Sequence, residues 1–477
     1  MNYASTRDKK MRMSAAQAIV RGLAPDGGLM TPEVLPRLPG SALETMKDMS
    51  YQQRVVYILS RFLDEFSARE LTSFAAAAYG GNFDTPAVAP VRQLKDGLSC
   101  LELWHGPTCA FKDMALQMLP HLLSASLNKI DEEKTACILV ATSGDTGKAA
   151  LEGFKDVART RILVFYPQNG VSDIQELQMV TQAGGNVGVC AVVQLAHMLA
   201  ERGYFLSSAN SINWGRVLPQ IVYYISAYCD LLKSGAIANG HQINVCVPTG
   251  NFGNILAGYY AKQMGVPIKT LICASNENNV LTDFIKTGIY DKNRPFHNTT
   301  SPSMDILVSS NLERLIFELS GRDDALVREY MSQLASSGRY QVTASIQQKI
   351  QGIFAAGFCD DRQTEQTISQ VWEEFGYLID PHTAVAFRVL EEYRQSTGDD
   401  TTAVVASTAS PFKFCTSVLN ALGVKEHKKG VEILDQLSEQ TGVSVPAPLA
   451  ALKGKARRFD AMTEKAGMIE QVLEFLR

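Results

Sequence analysis

One lysine in the sequence stands where an uncharged amine could do chemistry. Lys112 lies in the segment HGPTCAFKDMA (105–115), between Phe111 and Asp113 at the predicted start of a helix. An apolar neighbour and a helix N-terminus both favour loss of the ammonium proton, and the neutral amine is the form that makes a Schiff base. A solvated lysine at a helix start is the alternative. The segment alone leaves both interpretations open.

Two further segments carry groups that suit anions. ATSGDTGKAA (141–150) offers hydroxyls, a carboxylate and free backbone amides at a predicted helix N-terminus. It is not a P-loop, because Thr142 stands where the first glycine is needed and Ala149 replaces the metal-binding Ser or Thr. A tight strand-to-helix turn is the alternative for this segment. PTGNFGN (248–254) brings several N–H groups to the positive end of a helix dipole, which suits a phosphate, and it does not match the dinucleotide pattern GxGxxG.

Two segments supply single candidate ligands. Arg216 ends SSANSINWGR (207–216); if buried it would bind a carboxylate or phosphate, and if exposed it would only flank the next helix. Thr408, in STASPFKF (407–414), can donate a hydrogen bond to a ring nitrogen, although a threonine after a strand is usually a turn residue. The seven histidines show no metal-site spacing, and a GxSxG elbow is absent, so we predict no metal site and no hydrolase triad.

Composition argues for small-molecule ligands. The 477 residues include 45 Lys+Arg and 49 Asp+Glu, for a net charge of −4, with no basic stripe that would favour nucleic acid or an acidic membrane. The sequence has no run of about 20 apolar residues and no apolar secretory signal near its start, so we expect a cytoplasmic protein. The nine cysteines form no CxxC pair and are predicted to be reduced core residues.

The elements that must position these segments alternate between strand and helix from residue 98 onward. Short β-branched runs, each followed by small polar residues, occur at LSCLELW, ACILVAT, RILVFY, NVGVCAVV, INVCVP, TLICAS and TTAVVAST. This pattern predicts an α/β fold with open parallel sheets, in which ligands gather beyond the carboxyl ends of the strands. Apolar residues at helical spacing predict a core helix between Arg216 and Lys233, and the first ninety residues are predicted to be mainly helical.

Taken together and in order, five segments resemble one family: HGPTCAFKD, ATSGDTG, SSANSINWGR, PTGNFGN and STASPFKF. They resemble the threonine synthases of the longer bacterial and fungal type, which are fold type II enzymes dependent on pyridoxal 5′-phosphate (PLP). QAIVRGLAPDGGLMTPE near the N-terminus is similar to the same family. The resemblance implies two open parallel-sheet α/β domains with an added N-terminal helical region. We expect a helical domain over 1–96 and a catalytic region over 97–477, within which about 113–205 form a smaller mobile subdomain.

The resemblance also implies a role for each matching residue. Lys112 would form the internal aldimine with PLP, Thr408 would face the pyridine nitrogen, and Asp145 would lie near the cofactor O3′. The cofactor phosphate would be bound by Gly250, Asn251, Phe252, Gly253 and Asn254. The substrate carboxylate and phosphate would be bound by Thr142, Ser143, Thr146, Asn210, Asn213 and Arg216.

The implied reaction converts O-phospho-L-homoserine and water into L-threonine and phosphate, in a monomer or homodimer. Two alternatives stay open: a related phospho-lyase that releases 2-oxobutyrate, and a non-catalytic PLP-binding paralogue. The sequence departs from the family where Val193 runs directly into QLAHMLAERGYFLSSAN, since about a dozen and a half residues that usually follow are absent. We interpret this difference either as a deletion in the protein or as a disordered segment that is missing from the continuously numbered sequence. The regular sequence on both sides favours a missing disordered segment.

Overall fold

Two separate sheets carry the chemistry-bearing segments in a computed structural model of the chain, which describes residues 1–142, 144–167, 171–192, 204–463 and 467–476. The described strands are β1 (Tyr3–Ser5), β2 (Met30–Pro32), β3 (Val91–Lys95), β4 (Leu98–Glu102), β5 (Thr135–Ala141), β6 (Thr160–Tyr166), β7 (Val187–Val192), β8 (Tyr204–Ser207), β9 (Ile243–Pro248), β10 (Ile268–Ser275), β11 (Ile289–Asp291), β12 (Arg339–Gln341), β13 (Phe354–Phe358), β14 (Ala403–Ser407) and β15 (Met462–Thr463).

Helices cover both sheets and build the N-terminal region. The described helices are α1 (Ala15–Arg21), α2 (Ala42–Met46), α3 (Tyr51–Leu59), α4 (Ala68–Tyr79), α5 (Asp113–Leu116), α6 (Leu119–Lys129), α7 (Asp145–Phe154), α8 (Asp173–Val180), α9 (Trp214–Ser234), α10 (Gly253–Met264), α11 (Val280–Thr287), α12 (Leu312–Leu319), α13 (Asp324–Ser337), α14 (Ala344–Gln351), α15 (Asp361–Phe375), α16 (Pro381–Thr397), α17 (Cys415–Ala421), α18 (Glu432–Thr441), α19 (Ala447–Ala450) and α20 (Met468–Phe475).

The larger sheet has the strand order β13-β10-β9-β14-β4-β3. All of its neighbouring pairs are parallel except β3 with β4, which form an antiparallel edge. The predicted strands in LSCLELW, INVCVP, TLICAS and TTAVVAST are confirmed as β4, β9, β10 and β14. Strand β13 was not predicted, because FAAGF is short, contains a glycine and follows a helical stretch.

The smaller sheet has the order β15-β7-β6-β5-β8, and every neighbouring pair is parallel. The runs ACILVAT, RILVFY and NVGVCAVV are confirmed as its strands β5, β6 and β7. Strand β15 comes from the C-terminal end of the chain and was not predicted. Helix α20 follows β15 and packs Met468 and Val472 against Cys137 and Phe165 of this sheet. The parallel α/β fold is therefore confirmed, with a C-terminal addition to the small sheet.

The N-terminal region combines helices with one short strand pair. Helices α1, α3 and α4 each begin with a capping box, in which a serine and a residue three positions on satisfy free backbone amides. Strands β1 and β2 pair antiparallel, which the mainly helical prediction did not include. Trp214, at the start of α9, packs its ring against Tyr3, Phe62 and Tyr260, so α9 joins this region to the larger core.

Helix α9 confirms the predicted core helix, and its side chains are buried over most of its 21 residues. All nine cysteines are buried and free, as predicted. No helix among the described residues is long and apolar enough to cross a membrane. The predicted absence of a segment after Val193 concerns residues that lie outside the described part of the chain.

Candidate active site

The segments that follow β4, β5, β9 and β14 meet around one cavity of about 340 Å³, together with the start of α9. Its wall contains the predicted site residues Lys112, Thr142, Thr146, Asn210, Arg216, Gly250, Asn251, Phe252, Gly253, Asn254 and Thr408. Residues about 300 positions apart in the chain thus reach one space, because the carboxyl ends of parallel strands lie at the same edge of their sheet.

Lys112 caps the short helix α5 and is largely withdrawn from water, with a side chain 11% exposed. Its Nζ donates a hydrogen bond to Ser303 Oγ at 3.3 Å and lies 3.9 Å from Asp145 Oδ2. Burial lowers the pKa of Lys112 to about 8; Asp145 opposes this shift, while the positive charges of Lys413 and Arg216 add to it. The amine is therefore available in its neutral form close to physiological pH.

Asp145 begins α7 and is 3% exposed, but it does not form part of the cavity wall. Its Oδ1 accepts hydrogen bonds from Lys413 Nζ at 2.5 Å and from Gln175 Nε2 at 2.9 Å. Burial alone would raise the pKa of this carboxyl, but the charges of Lys413 and Lys112 and these hydrogen bonds hold it well below its usual range. A fixed carboxylate therefore stands beside the buried amine.

The segment 250–254 turns tightly into α10. Phe252 adopts left-handed backbone angles, with φ at 60°, directly before the helix. A Cβ on Gly250 would lie 2.8 Å from the carbonyl oxygen of Ser303, and one on Gly253 would lie 3.2 Å from Ser211 Cβ. Glycine at 250 thus permits a close approach of two backbones. Residues 250–254 line the cavity, and the N-terminus of a helix such as α10 is a place where a phosphate is stabilised.

Two buried donors in the cavity wall have no partner among the described residues. Asn254 accepts hydrogen bonds at Oδ1 from the hydroxyls of Tyr223 and Tyr224, each at 2.5 Å, while its Nδ2 is unpaired. Arg216 is 3% exposed and donates to the carbonyl oxygen of Ala209, while its Nε is unpaired. Burial lowers the pKa of Arg216 to about 10. Buried donors without partners are rare and costly, so both fit an anionic ligand.

Two threonines of the cavity wall, Thr142 and Thr408, also make contacts that hold the surrounding segments in place. Thr142 Oγ1 accepts from the backbone amides of Gly144 and Gly147 at 3.1 and 3.0 Å, which holds the turn into α7. Thr408 is 5% exposed, and its carbonyl oxygen accepts from the amide of Phe111 at 2.8 Å. The segment after β14 is thereby fastened to the segment that carries Lys112.

Asn213 is not brought to the cavity wall. It caps α9: its Oδ1 accepts from the amide of Gly215 at 2.9 Å, and its Nδ2 donates to the carbonyl oxygens of Ile19 and Ser208, each at 3.0 Å. Both polar atoms of its amide therefore serve the fold. Ser143, the remaining predicted ligand, lies outside the described residues.

Four residues at or beside the cavity were not predicted from the sequence, namely Ser303, Asp305, His382 and Lys413. His382 lines the cavity, with Nδ1 2.8 Å from Asp380 Oδ1 and Nε2 3.2 Å from the backbone amide of Ser303. An Nε2 that accepts from an amide leaves the proton on Nδ1, so His382 holds Ser303 in place. An Asp-Pro-His run at a helix start was the available signal, and Lys413 stood within STASPFKF.

Comparison with known proteins identifies the family of this chain. Two family models match: one described as "Threonine synthase N terminus" over residues 2–79, and one described as "Threonine synthase, C-terminal" over residues 383–473. Threonine synthase from Pseudomonas aeruginosa is 38% identical over 434 residues, covering 88% of this chain and 90% of that protein. The chain belongs to the threonine synthase family. The resemblance stated from the sequence is therefore confirmed.

Structures of threonine synthases agree along nearly the whole chain. PLP-bound threonine synthase from Brucella melitensis superposes with a TM-score of 0.86 at 34% identity, covering 99% of this chain and 98% of that one. Threonine synthase from yeast gives a TM-score of 0.89 at 32% identity, with the same coverage. The protein named threonine synthase-like 1 from Homo sapiens is 41% identical over 449 residues, and this chain spans only 60% of its length.

Proposed function

We propose that this member of the threonine synthase family is itself a threonine synthase, which converts O-phospho-L-homoserine and water into L-threonine and phosphate. The observation that carries the proposal is one shared cavity. Lys112, the amide-rich segment 250–254 and the unpaired Nε of Arg216 all face it. A buried amine beside two kinds of anion-binding group suits a phosphorylated amino acid and a phosphorylated aldehyde cofactor.

The residues present fit PLP. The unpaired Nδ2 of Asn254 and the free amides of 250–254 would bind its phosphate, in a turn where a Cβ at Gly250 would not fit. Lys112 would bind the cofactor covalently, and the Thr408 hydroxyl would face its ring nitrogen. When bound, PLP supplies an electron sink for negative charge that develops at substrate carbon. A neutral hydroxyl such as that of Thr408 at the ring nitrogen would moderate that electron withdrawal.

The substrate carries a carboxylate and a phosphate. Thr142, Thr146, Asn210 and Arg216 line the cavity and would bind these two anions, with Arg216 as the charged member of the set. Such a charge-assisted hydrogen bond contributes about 1.5–3 kcal/mol. Binding through the remote phosphate would also orient the reacting carbons towards Lys112.

Lys112 would move protons during the reaction. Its pKa of about 8 lets Nζ release and accept protons at physiological pH, and the Ser303 hydroxyl accepts a hydrogen bond from it. The residues around 113–205, which include most of the small sheet, would form a smaller unit that closes over the site. Closure would delay the entry of water until it is added to substrate carbon.

A single incubation tests the proposal. The full chain is supplied with PLP and O-phospho-L-homoserine, and phosphate, threonine and 2-oxobutyrate are measured together. We expect threonine and phosphate in equal amounts. Oxobutyrate in place of threonine would replace the proposal with the phospho-lyase, and no phosphate release would replace it with the non-catalytic paralogue.

Two variants show whether Lys112 is the reacting amine. Lys112→Ala should remain folded, release no threonine and lose the PLP adduct that borohydride reduction fixes on the corresponding tryptic peptide. Lys148→Met is the matched control, because Lys148 is another buried lysine, paired with Glu152 at 2.8 Å outside the cavity wall. Retained turnover in Lys112→Ala would remove Lys112 from this role.

A further inference from the structure

A second buried lysine, Lys413, lies near the cavity and is not among the residues proposed to bind cofactor or substrate. Lys413 lies in the 3-10 turn Pro411–Phe414, which begins four residues after the end of β14, and its side chain is 0% exposed. Its Nζ donates to the carbonyl oxygen of Thr108 at 2.9 Å and to Asp145 Oδ1 at 2.5 Å. Removing an ammonium group from water is energetically costly, so a lysine in such a place requires close partners.

Lys413, Asp145 and Lys112 form a chain of alternating charge. Asp145 uses one carboxylate oxygen for each lysine, with Oδ1 on Lys413 at 2.5 Å and Oδ2 3.9 Å from Lys112 Nζ. The nearer and less exposed partner is Lys413. Because Gln175 Nε2 also donates to Oδ1, most of the hydrogen bonding of this carboxylate is directed away from Lys112.

We propose that Lys413 is a positioning residue, which holds the Asp145 carboxylate in a buried ion pair and so prevents it from retaining the proton of Lys112. This inference rests on the proposed function in one respect, since the free amine of Lys112 matters only if Lys112 reacts.

The net charge of the three groups gives the physical reason. With Lys413 present, the net charge of Lys413, Asp145 and Lys112 changes from +1 to zero when Lys112 loses its proton. Without Lys413, the same step would change a neutral pair into a buried negative charge, which is costly in a site closed to water. Lys413 therefore favours the neutral amine.

Other charged groups near Lys112 do not reverse this effect. Among the described residues, Arg216 of α9 adds a second positive charge that favours proton loss, while Asp145 of α7 opposes it. Asp305 and His382 also line the cavity. The Asp305 carboxylate accepts hydrogen bonds from the backbone amide and hydroxyl of Thr299 and from the side-chain amides of Asn276 and Asn278.

Lys413 also joins elements of the two sheets. It follows β14 of the large sheet, whereas Asp145 begins the helix after β5 of the small sheet. The Ser172 hydroxyl, just before α8, donates to the carbonyl oxygen of Lys413 at 3.2 Å. The ion pair thus fixes the start of α7 relative to the segment that bears Thr408.

The test measures how readily Lys112 loses its proton, using the full chain freed of cofactor. Reductive methylation by formaldehyde and cyanoborohydride is followed at the Lys112 peptide by mass spectrometry between about pH 6 and 10. In the unsubstituted chain we expect half-maximal labelling near pH 8, in line with the lowered pKa of Lys112. Lys413→Met should move this midpoint upward by about one to three pH units.

Two controls separate charge from packing. Lys413→Arg keeps the positive charge, so its labelling midpoint should equal that of the unsubstituted chain. Lys148→Met removes a different buried lysine and should leave the midpoint unchanged. An unshifted midpoint in folded Lys413→Met would overturn the proposal. If Lys413→Met does not fold, the Asp145→Asn variant is measured instead. Loss of the carboxylate should lower the labelling midpoint of Lys112, and an unchanged midpoint would also overturn the proposal.

The proposed threonine synthase activity and the proposed role of Lys413 can be contradicted independently of each other. Labelling uses no substrate, so a chain that makes no threonine but shows the expected shifts would contradict only the proposed function. A chain that makes threonine but shows no shift in Lys413→Met would contradict only the role of Lys413.

Discussion

Burial lowers the pKa of Lys112 and of Arg216 in the cavity wall, but it leaves the two side chains with different pKa values. It lowers the pKa of Lys112 to about 8 and that of Arg216 to about 10. Lys112 can therefore change its protonation state near physiological pH, whereas Arg216 remains a cation there. One buried amine suited to moving protons and one buried guanidinium suited to holding an anion thus stand in the same cavity wall.

Arg216→Lys should raise the KM for O-phospho-L-homoserine about 10- to 100-fold, which corresponds to the loss of one charge-assisted hydrogen bond of about 1.5–3 kcal/mol. A lysine keeps the charge but lacks the unpaired Nε. Initial-rate kinetics and PLP titration measure the change, with PLP affinity expected within about twofold of the unsubstituted chain. Arg21→Lys, at an exposed position of α1, is the control. An unchanged KM would show that Arg216 does not bind substrate.

At the scale of elements, the site depends on close contact between the turn before α10 and the segment 301–306. Ser303 contacts both the anion-binding turn and the buried amine: its carbonyl oxygen lies against Gly250, and its hydroxyl accepts a hydrogen bond from Lys112. Its amide donates to Nε2 of His382 at the start of α16. The position of this segment therefore sets the space available between the anion-binding turn and the amine.

Gly250→Ala tests this contact. The added methyl group would lie 2.8 Å from a backbone carbonyl oxygen, so the segment 301–306 must shift, at a cost of about 1–3 kcal/mol. We expect PLP affinity to fall at least about tenfold, measured by absorbance titration. Gly81→Ala is the matched control, because no atom lies within 4 Å of a Cβ there. Equal PLP affinity in the two variants would contradict the assignment of this turn.

At the scale of the whole molecule, the C-terminal end of the chain completes the small sheet. Strand β15 pairs with β7, and Met468 and Val472 of α20, with Leu476 just after the helix, pack against this sheet. The small sheet also supplies the turn that begins with Thr142. The stability of a functional segment therefore depends on residues more than 300 positions away in the sequence.

Met468→Ala should destabilise the small sheet by about 2–5 kcal/mol, as expected for truncating a buried methionine. Hydrogen exchange should quicken in β6 and β7, while β9 and β14 of the large sheet keep their protection. Val34→Ala is the control, since Val34 is 69% exposed. Uniform quickening in both sheets would show that they unfold as a single unit.

Local patterns were sufficient for much of the fold. The β-branched runs predicted the strands that meet at the cavity, and helical spacing predicted α9, because both signals depend on side chains within one element. Strands β13 and β15 were missed, because a short segment becomes a strand only when a distant partner accepts its hydrogen bonds.

Asn213 and Lys413 show why part of the site could not be predicted. Both stand in segments that resemble the family, yet Asn213 caps a helix and Lys413 is fully buried against Asp145. Their roles follow from which residues of distant segments surround them.

The amino-acid sequence was sufficient to identify the family, the parallel α/β class and the segments that carry the chemistry, because these depend on residue type and local spacing. Tertiary structure alone decided which side chains face the cavity and which donors are left unpaired. It also decided that one carboxylate stands between two lysines. These properties depend on burial and on the distances between segments that are far apart in the sequence. Burial and the distance between charges are also what shift the pKa of a side chain, so such shifts follow from the tertiary structure.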